Sequence, residues 1–138
     1  MKKTTITVLA AGFLFFSGVK AQTVQEGVSH LNAGRIKNAS GVFEKLLAVN
    51  PNDISAIYWL GQTKLEADEI MSARLAETRQ LYEKAMQSTN GAPLIKVGMG
   101  HVEALAGNHE NARQHFEMAL TMTRNRKGDD PVIVTAIG

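Results

Sequence analysis

Three glycines in similar local sequence recur along this chain at nearly regular intervals. Gly27 and Gly61 are 34 residues apart, and Gly100 follows after a further 39 residues. Self-similarity with a period of about 20 to 50 residues is typical of solenoids, in which each unit buries its apolar face only by stacking on the next. The spacing therefore predicts a repeat architecture, and with it a mode of action in which stacked units bind other chains.

The residues around these glycines recur in the same order. With each glycine placed at position 8, the repeats begin at Lys20, Ile54 and Pro93, and repeat two needs five extra residues to stay in register. The predicted repeats are therefore about 20–53, 54–92 and 93–130, with residues 131–138 beginning a fourth. The residues that recur at positions 15, 20, 24 and 27 are Gly34, Ala39, Phe43 and Leu46 in repeat one, and Gly107, Ala112, Phe116 and Ala119 in repeat three, with Tyr82 and Ala85 at positions 24 and 27 of repeat two.

Over about residues 20–124 this pattern resembles the tetratricopeptide repeat family, whose consensus is W-x2-L-G-x2-Y…A-x3-F…P. The chain departs from the consensus at position 4, where no repeat has tryptophan, and at position 11, which holds His30, Lys64 and Glu103. The resemblance implies an all-α, right-handed α-solenoid of helix–turn–helix repeats, with three full repeats and the start of a fourth.

The small residues at positions 8 and 20 have a packing explanation. Glycine inside a helix costs about 0.5–1 kcal/mol relative to alanine, so a glycine kept at one position in three repeats indicates that two helices approach closely there. We expect Gly100 to lie opposite Ala112, and the aromatic residue at position 24 to fill the space between successive units. The alternative is that these glycines only break helices at loops.

Prolines and aspartates predict where helices begin. Pro51, Pro93 and Pro131 each precede or open the first helix of the next repeat, where the missing proline N–H would be unpaired in any case. Asp53 and Asp130 stand just before two of these helices and are predicted to be N-caps. No alternating run of apolar and polar residues bounded by turns indicates a strand.

The first 21 residues have the pattern of a secretory signal peptide. A basic start at Met1–Lys3 is followed by an apolar stretch from Ile6 to Phe16, too short for a bilayer span of about 20 residues. Small residues at Val19 and Ala21 predict cleavage after Ala21. We therefore expect an exported protein of bacterial type, periplasmic or extracellular, with no stable membrane insertion after cleavage. Retention of the segment as a membrane anchor is the alternative.

Charge and cysteine content exclude several classes of protein. The whole chain has a formal net charge of +2, but removal of Lys2, Lys3 and Lys20 with the leader leaves 12 basic and 13 acidic residues. A basic face for nucleic acid is therefore not expected. The basic run 124–127 is read as a solvated loop. The absence of cysteine excludes disulfides, a zinc–thiolate site and a lipid-modified N-terminal cysteine.

No set of residues in the sequence has the spacing of a catalytic or metal site. His109 and His115 are six residues apart and lie on different helix faces, unlike the i, i+4 pair of H-E-x-x-H. The acidic residues Glu66, Asp68 and Glu69 cluster at the insertion of repeat two and are read as a solvated helix end. We expect no enzyme activity, no cofactor and no metal.

The resemblance places a binding surface on the first helices of the repeats. In the family, ligands lie along the concave face and contact first-helix positions 2, 5, 9, 12 and 13. An alternative is that the apolar residues at these positions pack against the chain's own neighbouring helices. Mapped onto repeats two and three, the predicted partner-binding residues are Tyr58, Gln62, Leu94, Val97, His101 and Leu105.

Two functions of different class follow. One is a non-catalytic, exported scaffold that binds protein or peptide partners along its concave face. The other is an N-terminal accessory repeat region of a larger envelope enzyme or carbohydrate-uptake component. The apolar residues 131–138 predict that the chain is the N-terminal part of a longer repeat protein. They also predict that it associates through Val132, Ile133 and Ile137, and that deleting 131–138 improves its solubility.

Overall fold

A computed structural model describes residues 22–125 and 128–138. These ranges contain seven α-helices and no strand, apart from one isolated bridge between Asn125 and Gly128. The predicted signal peptide and residues 126–127 of the predicted basic loop lie outside the described residues. The all-α prediction is confirmed. The helices are α1 Val24–Asn32, α2 Ile36–Val49, α3 Ile54–Leu65, α4 Met71–Ser88, α5 Pro93–Leu105, α6 His109–Thr123 and α7 Pro131–Ile137.

The helices stack in chain order. Each helix contacts the next one along the chain, and α1, α3, α5 and α7 also contact one another in succession. Within the described ranges, the backbones of helices that are more than two apart do not come close, although the Tyr58 side chain of α3 reaches the Ala136 carbonyl of α7. This nearest-neighbour pattern is consistent with an α-solenoid of helix pairs. No helix of the described part is both long and apolar enough to cross a bilayer.

The helix starts follow the sequence signals. The Asp53 carboxylate accepts a backbone amide of α3 at 3.0 Å, and the Asp130 carboxylate accepts one of α7 at 2.8 Å. Pro93 and Pro131 are the first residues of α5 and α7. Both predicted N-caps are therefore confirmed, and each satisfies an amide that has no partner within its helix.

Two of the turns inside helix pairs depend on glycine. Gly34 and Gly107 have φ values of 69° and 82°. This is a left-handed backbone conformation that residues with a Cβ rarely adopt. The amide of Gly34 donates to the carbonyl oxygen of Leu31 at 2.9 Å, and that of Gly107 donates to Ala104 at 3.1 Å. Each glycine thus ends a first helix and reverses the chain.

The end of α3 is stabilised in another way. The segment 66–70 contains no glycine, and Arg74 from the first turn of α4 reaches back over it. One guanidinium nitrogen, Nη1, donates to the carbonyl oxygens of Leu65 at 2.6 Å and Ala67 at 3.0 Å. In this pair the Arg74 side chain therefore donates to a carbonyl at the end of the first helix, whereas in the other two pairs the amide of the turn glycine does so.

Inside each helix pair, an aromatic ring lies directly on a glycine. A Cβ added to Gly27 would overlap the Phe43 ring, one added to Gly61 would overlap Tyr82, and one added to Gly100 would overlap Phe116. The close approach inferred from the glycines is present. The ring of Phe116 lies nearest to the missing Cβ of Gly100, and the expected position of Ala112 opposite this glycine stays a prediction.

The aromatic residue at position 24 packs within its own helix pair and also toward the next pair, as expected. A Cβ on Gly98 of α5 would meet Tyr82, so the Tyr82 ring lies between α3 and the next pair, as expected. Phe43 lies on the glycine of its own pair and also packs in one cluster with Leu60 of α3. Phe116 likewise lies on the glycine of its own pair and packs against the cluster that contains Ile133 of α7. The aromatic residue therefore sets the spacing within a pair and contributes to the packing of one pair on the next, and Tyr82 does so against a glycine of the next pair.

The short helix α7 belongs to the core. Ile133 is only 4 % exposed and packs in the larger hydrophobic cluster, while Ile137 is half-buried against it. The expectation that these two side chains drive association was therefore wrong, although Val132 is 64 % exposed. Deleting 131–138 would uncover the surface on which Ile133 packs, so the predicted gain in solubility does not follow.

A buried carboxylate joins the second and third helix pairs. Glu103 of α5 is buried, forms an ion pair with Arg79 of α4, and accepts a hydrogen bond from the Asn108 amide at 2.8 Å. The bond from Arg79 lowers the pKa of the Glu103 carboxyl, and the Asn108 bond lowers it further, against the opposing effect of burial. The carboxylate is thus held ionised where three helical segments meet.

We predict that Gly100→Ala destabilises the protein by about 1–3 kcal/mol, because the new methyl group has to displace the Phe116 ring. The matched control is Gly41→Ala in α2, where a Cβ meets nothing within 4 Å. That change should raise stability by about 0.4–1 kcal/mol through the loss of unfolded-state entropy. Denaturant unfolding of both variants measures the difference. Equal effects of the two substitutions would contradict the glycine–ring contact.

We predict that Glu103→Gln lowers the free energy of unfolding at neutral pH by about 1–3 kcal/mol, because Arg79 loses its charged partner. Since the folded pKa lies below the unfolded value of about 4.3, this stabilisation is complete above that value. It is lost as pH falls through the lowered folded pKa. The gap between the two proteins should therefore close in acid, and a constant gap would argue against the ion pair. The exposed Glu117→Gln is the control and should change stability little.

Candidate functional site

A groove of about 580 Å³ lies between α3, α5 and α7. The described residues that line it are apolar or are polar without formal charge, and none of them is an acid, a lysine or an arginine. It crosses three successive first helices, so its shape depends on how the pairs stack. The lining residues are Ser55, Tyr58, Trp59, Gln62, Leu94, His101, Pro131, Val132, Thr135 and Ala136.

The structure brings four of the six predicted partner-binding residues together in this groove, namely Tyr58, Gln62, Leu94 and His101. Val97 is fully buried in the core and presents no surface to a partner. Leu105, at the end of α5, is 49 % exposed but does not line the groove. Whether any of these residues binds a partner remains a prediction.

The wall formed by α7 was missed at the sequence level. Val132 and Thr135 occupy positions 2 and 5 of the partial fourth repeat, which are the positions that Ser55 and Tyr58 hold in repeat two. The repeat numbering that predicts Tyr58 as a partner-binding residue also predicts Val132 and Thr135 when it is extended to the fourth repeat. They were left out because this segment was interpreted as an uncovered end and not as a packed helix.

A chain of hydrogen bonds runs beneath the groove from Tyr82 to His101. The buried Tyr82 hydroxyl donates to the carbonyl oxygen of Tyr58 at 2.8 Å and accepts from Gln62 Nε2 at 3.0 Å. Because a carbonyl oxygen only accepts, these two contacts fix the orientation of the Gln62 amide. Its oxygen, Oε1, lies 3.1 Å from Nδ1 of His101, so that nitrogen carries a proton and donates.

The same residues hold α7 against the body of the protein. The Tyr58 hydroxyl donates to the carbonyl oxygen of Ala136 at 3.4 Å. The backbone carbonyls of Ala136 and Ile137 lie near enough to the His101 ring to raise its pKa, against the larger opposing effect of burial. On its other side, that ring meets Phe116 edge-on, with centroids 5.5 Å apart. One wall of the groove is therefore fixed by a tyrosine and a histidine that themselves line it.

Burial controls the ionisation of these groups. It raises the pKa of Tyr58 to about 12 and raises that of Tyr82 further, partly offset by the bond from Gln62. Burial lowers the pKa of His101, and the α7 carbonyls oppose this without reversing it. At neutral pH the whole hydrogen-bonded chain is uncharged.

Half of the polar side chains of the groove, those of Tyr58, Gln62 and His101, already have partners inside the protein. Three do not: within the described residues, no hydrogen bond is made by the Ser55 hydroxyl, the Trp59 indole N–H or the Thr135 hydroxyl. Tyr58 meets Trp59 edge-on, with ring centroids 5.1 Å apart. The groove thus offers apolar area and a few free hydrogen-bonding groups. Among the described residues no cluster of histidine and acidic side chains has the form of a metal site.

Comparison with known proteins gives one partial similarity. No protein-family profile matches the chain. Over 100 residues it is 32 % identical to the Protein CTR9 homolog of Arabidopsis thaliana. The aligned segment covers 72 % of this chain but only 9 % of that protein. The chain therefore spans about a tenth of the length of the curated relative it matches. This partial match, to a protein that contains tetratricopeptide repeats, and the all-helical fold are compatible with a tetratricopeptide repeat protein.

We predict that neither tyrosine ionises in the folded protein at a pH of about 10.5, because burial raises both pKa values above the ordinary value of about 10. The two tyrosines of the chain make the near-ultraviolet titration simple to interpret. Because the folded pKa values lie above the unfolded one, the neutral tyrosines stabilise the folded protein fully below the unfolded pKa. This contribution to stability is lost as pH rises through the folded pKa values. The denatured chain is the reference. A native titration curve that overlays the denatured one would show that Tyr58 is not enclosed.

Proposed function

We propose that this chain is a non-catalytic interaction module that binds a polypeptide partner in the groove between α3, α5 and α7. The observation that supports this most is the groove itself, an uncharged channel across three successive first helices. Its volume of about 580 Å³ falls within the range of about 300–1,000 Å³ that is usual for ligand sites. The partial similarity to the Protein CTR9 homolog agrees with a helical-repeat interaction role.

The lining defines the chemistry of the partner. A charged side chain would enter a groove whose described lining carries no opposite charge, and would lose hydration without compensation. Aliphatic or aromatic side chains would bury area against Trp59, Leu94 and Val132. The free indole N–H of Trp59 and the hydroxyls of Ser55 and Thr135 would pair with the partner's backbone. The proposed ligand is therefore an uncharged, apolar peptide segment, bound with weak dependence on salt.

Export is the second part of the proposal. It rests on the basic start, the apolar stretch and the small residues before Gln22, all in the first 21 residues. Expression of the full chain in a bacterial host, followed by sequencing of the N-terminus of the purified protein, tests it. Cleavage after Ala21 leaves Gln22 as the first residue, while an intact Met1 in an exported fraction would favour the anchor alternative.

We predict that a lysine introduced into the groove weakens peptide binding at least about tenfold, because the new charge has no partner there. Ser55→Lys and Thr135→Lys are suitable, since both positions are exposed and outside the core. The control is Gln80→Lys, an equally exposed position on α4 away from the groove. Peptides are first selected from a random phage-displayed library on the unmodified protein, and their affinities are then compared across the variants.

The expected peptides are uncharged and apolar, bind the control variant like the unmodified protein, and lose affinity for both groove variants. Peptides that bind all four proteins equally, or that are rich in charged residues, would contradict the proposal. A double replacement of Tyr58 and His101 is less informative. Tyr58 is only 4 % exposed, so its removal would disturb the core together with the groove.

A further inference from the structure

We propose that this chain binds a second copy of itself head to tail, with the acidic loop 66–71 of one copy docked in a groove on α6 of the next. This second groove, called the α6 groove below, lies between the turn 89–92, α5 and α6 and has a volume of about 640 Å³. No described residue lines both it and the groove between α3, α5 and α7. The proposal therefore does not depend on the function proposed above.

The α6 groove combines exposed apolar area with an unpaired positive charge. Met118 and Met122 line it from successive turns of α6 and are 42 % and 52 % exposed. Methionine side chains are flexible and adapt to the shape of a partner. Lys96 of α5 also lines the groove and makes no hydrogen bond or ion pair with any described residue. The acidic lining residue Glu117 is paired with Arg113 and does not neutralise this lysine.

The acidic loop 66–71 has the complementary properties. Glu66, Asp68 and Glu69 are exposed, and their carboxylates make no hydrogen bond or ion pair with any described residue. Beside them, Ile70 is 78 % exposed and Met71 is 43 % exposed. The loop thus presents unpaired negative charge next to apolar side chains, which matches a groove that holds an unpaired lysine next to two methionines.

The basic residues that share a cleft with this loop leave its carboxylates unpaired. Lys64 is paired with Glu77, and Arg74 donates to backbone carbonyl oxygens. Lys37 makes no ion pair with any described residue. The three acids of the loop are therefore available to the lysine of another molecule.

The length of α4 prevents the loop from entering the α6 groove of its own molecule. The loop lies at the start of α4 and the turn 89–92 follows its end, and the 18 residues between them span about 27 Å. Only another copy can bring loop and groove together. Because the two surfaces differ, the contact is heterologous, so each added copy leaves a loop and a groove unoccupied at the ends of an open chain. A short loop buries less than the roughly 1,200 Å² of a stable interface, so we expect weak association.

Methionine-methyl NMR of the full chain at increasing protein concentration tests the contact at both surfaces. The resonances of Met71, Met118 and Met122 should shift with concentration, whereas that of the buried Met99 should not. Salt at about 0.5 M should weaken the shifts, because it screens the attraction between loop and lysine. Resonances that do not change up to a protein concentration of about 1 mM would overturn the proposal.

Ile70→Asn tests the apolar part of the loop. Ile70 is the N-cap of α4, and asparagine is favoured at that position, so the helix keeps its start. This variant should associate at least about tenfold more weakly than the unmodified protein. Val49→Asn is the matched control, since Val49 is 88 % exposed at the end of α2, and it should have no effect. Equal behaviour of the two variants would contradict the contact.

Lys96→Glu tests the groove, with the exposed Lys45→Glu of α2 as control. If Lys96→Glu does not fold, Met122→Glu at an exposed lining position replaces it. Sedimentation velocity should show each of the groove variant and Ile70→Asn to be monomeric alone, and their mixture to form pairs but nothing larger. The reason is that one variant supplies the intact loop and the other supplies the intact groove. A mixture that does not pair, or association that all variants share, would identify another occupant and overturn the proposal.

Discussion

The contact between a glycine on one helix and an aromatic ring on the next is the interaction on which this fold depends. It occurs at Gly27, Gly61 and Gly100, and in each case a Cβ would overlap the ring. Without the Cβ, the two helix backbones approach closely enough for the ring to pack directly against the glycine and exclude water. Each helix of a pair then buries an apolar face that it would expose alone. The stacking of pairs follows, because only an assembled pair presents a regular surface to the next.

In the second pair this contact also carries polar chemistry. Tyrosine replaces phenylalanine there, and its hydroxyl reaches past Gly61 to the Tyr58 carbonyl and to Gln62. The ring that sets the spacing of α3 and α4 thereby orients an amide beneath the groove, and that amide orients His101. A buried polar group is stable only when it is paired, so the whole chain of bonds is held by the same packing that forms the core. Packing and the properties of the groove are coupled for this reason.

Charge is distributed so that the groove stays neutral. Glu103, the buried carboxylate of α5, is paired with Arg79 between the second and third helix pairs. Other ion pairs, such as the one between Lys64 and Glu77, lie at the exposed surface. An uncharged groove selects partners by apolar area and backbone hydrogen bonds, and long-range attraction contributes little to its affinity. This is the physical basis for proposing an apolar peptide segment as the ligand.

The sequence by itself determined the all-α class, the capped starts of α3 and α7, and the need for close approach at Gly100. These depend on local chemistry, since an aspartate before a helix or a glycine within one has the same meaning in any fold. Tertiary structure decided what each residue meets. The atoms nearest to Gly100 belong to Phe116, and α7 packs into the core. Val97 is buried in the core although it shares a repeat position with Tyr58, which lines the groove. A repeat register places a residue on a helix face, but the neighbour that covers this face depends on how the helices cross and stack, and this is not encoded locally.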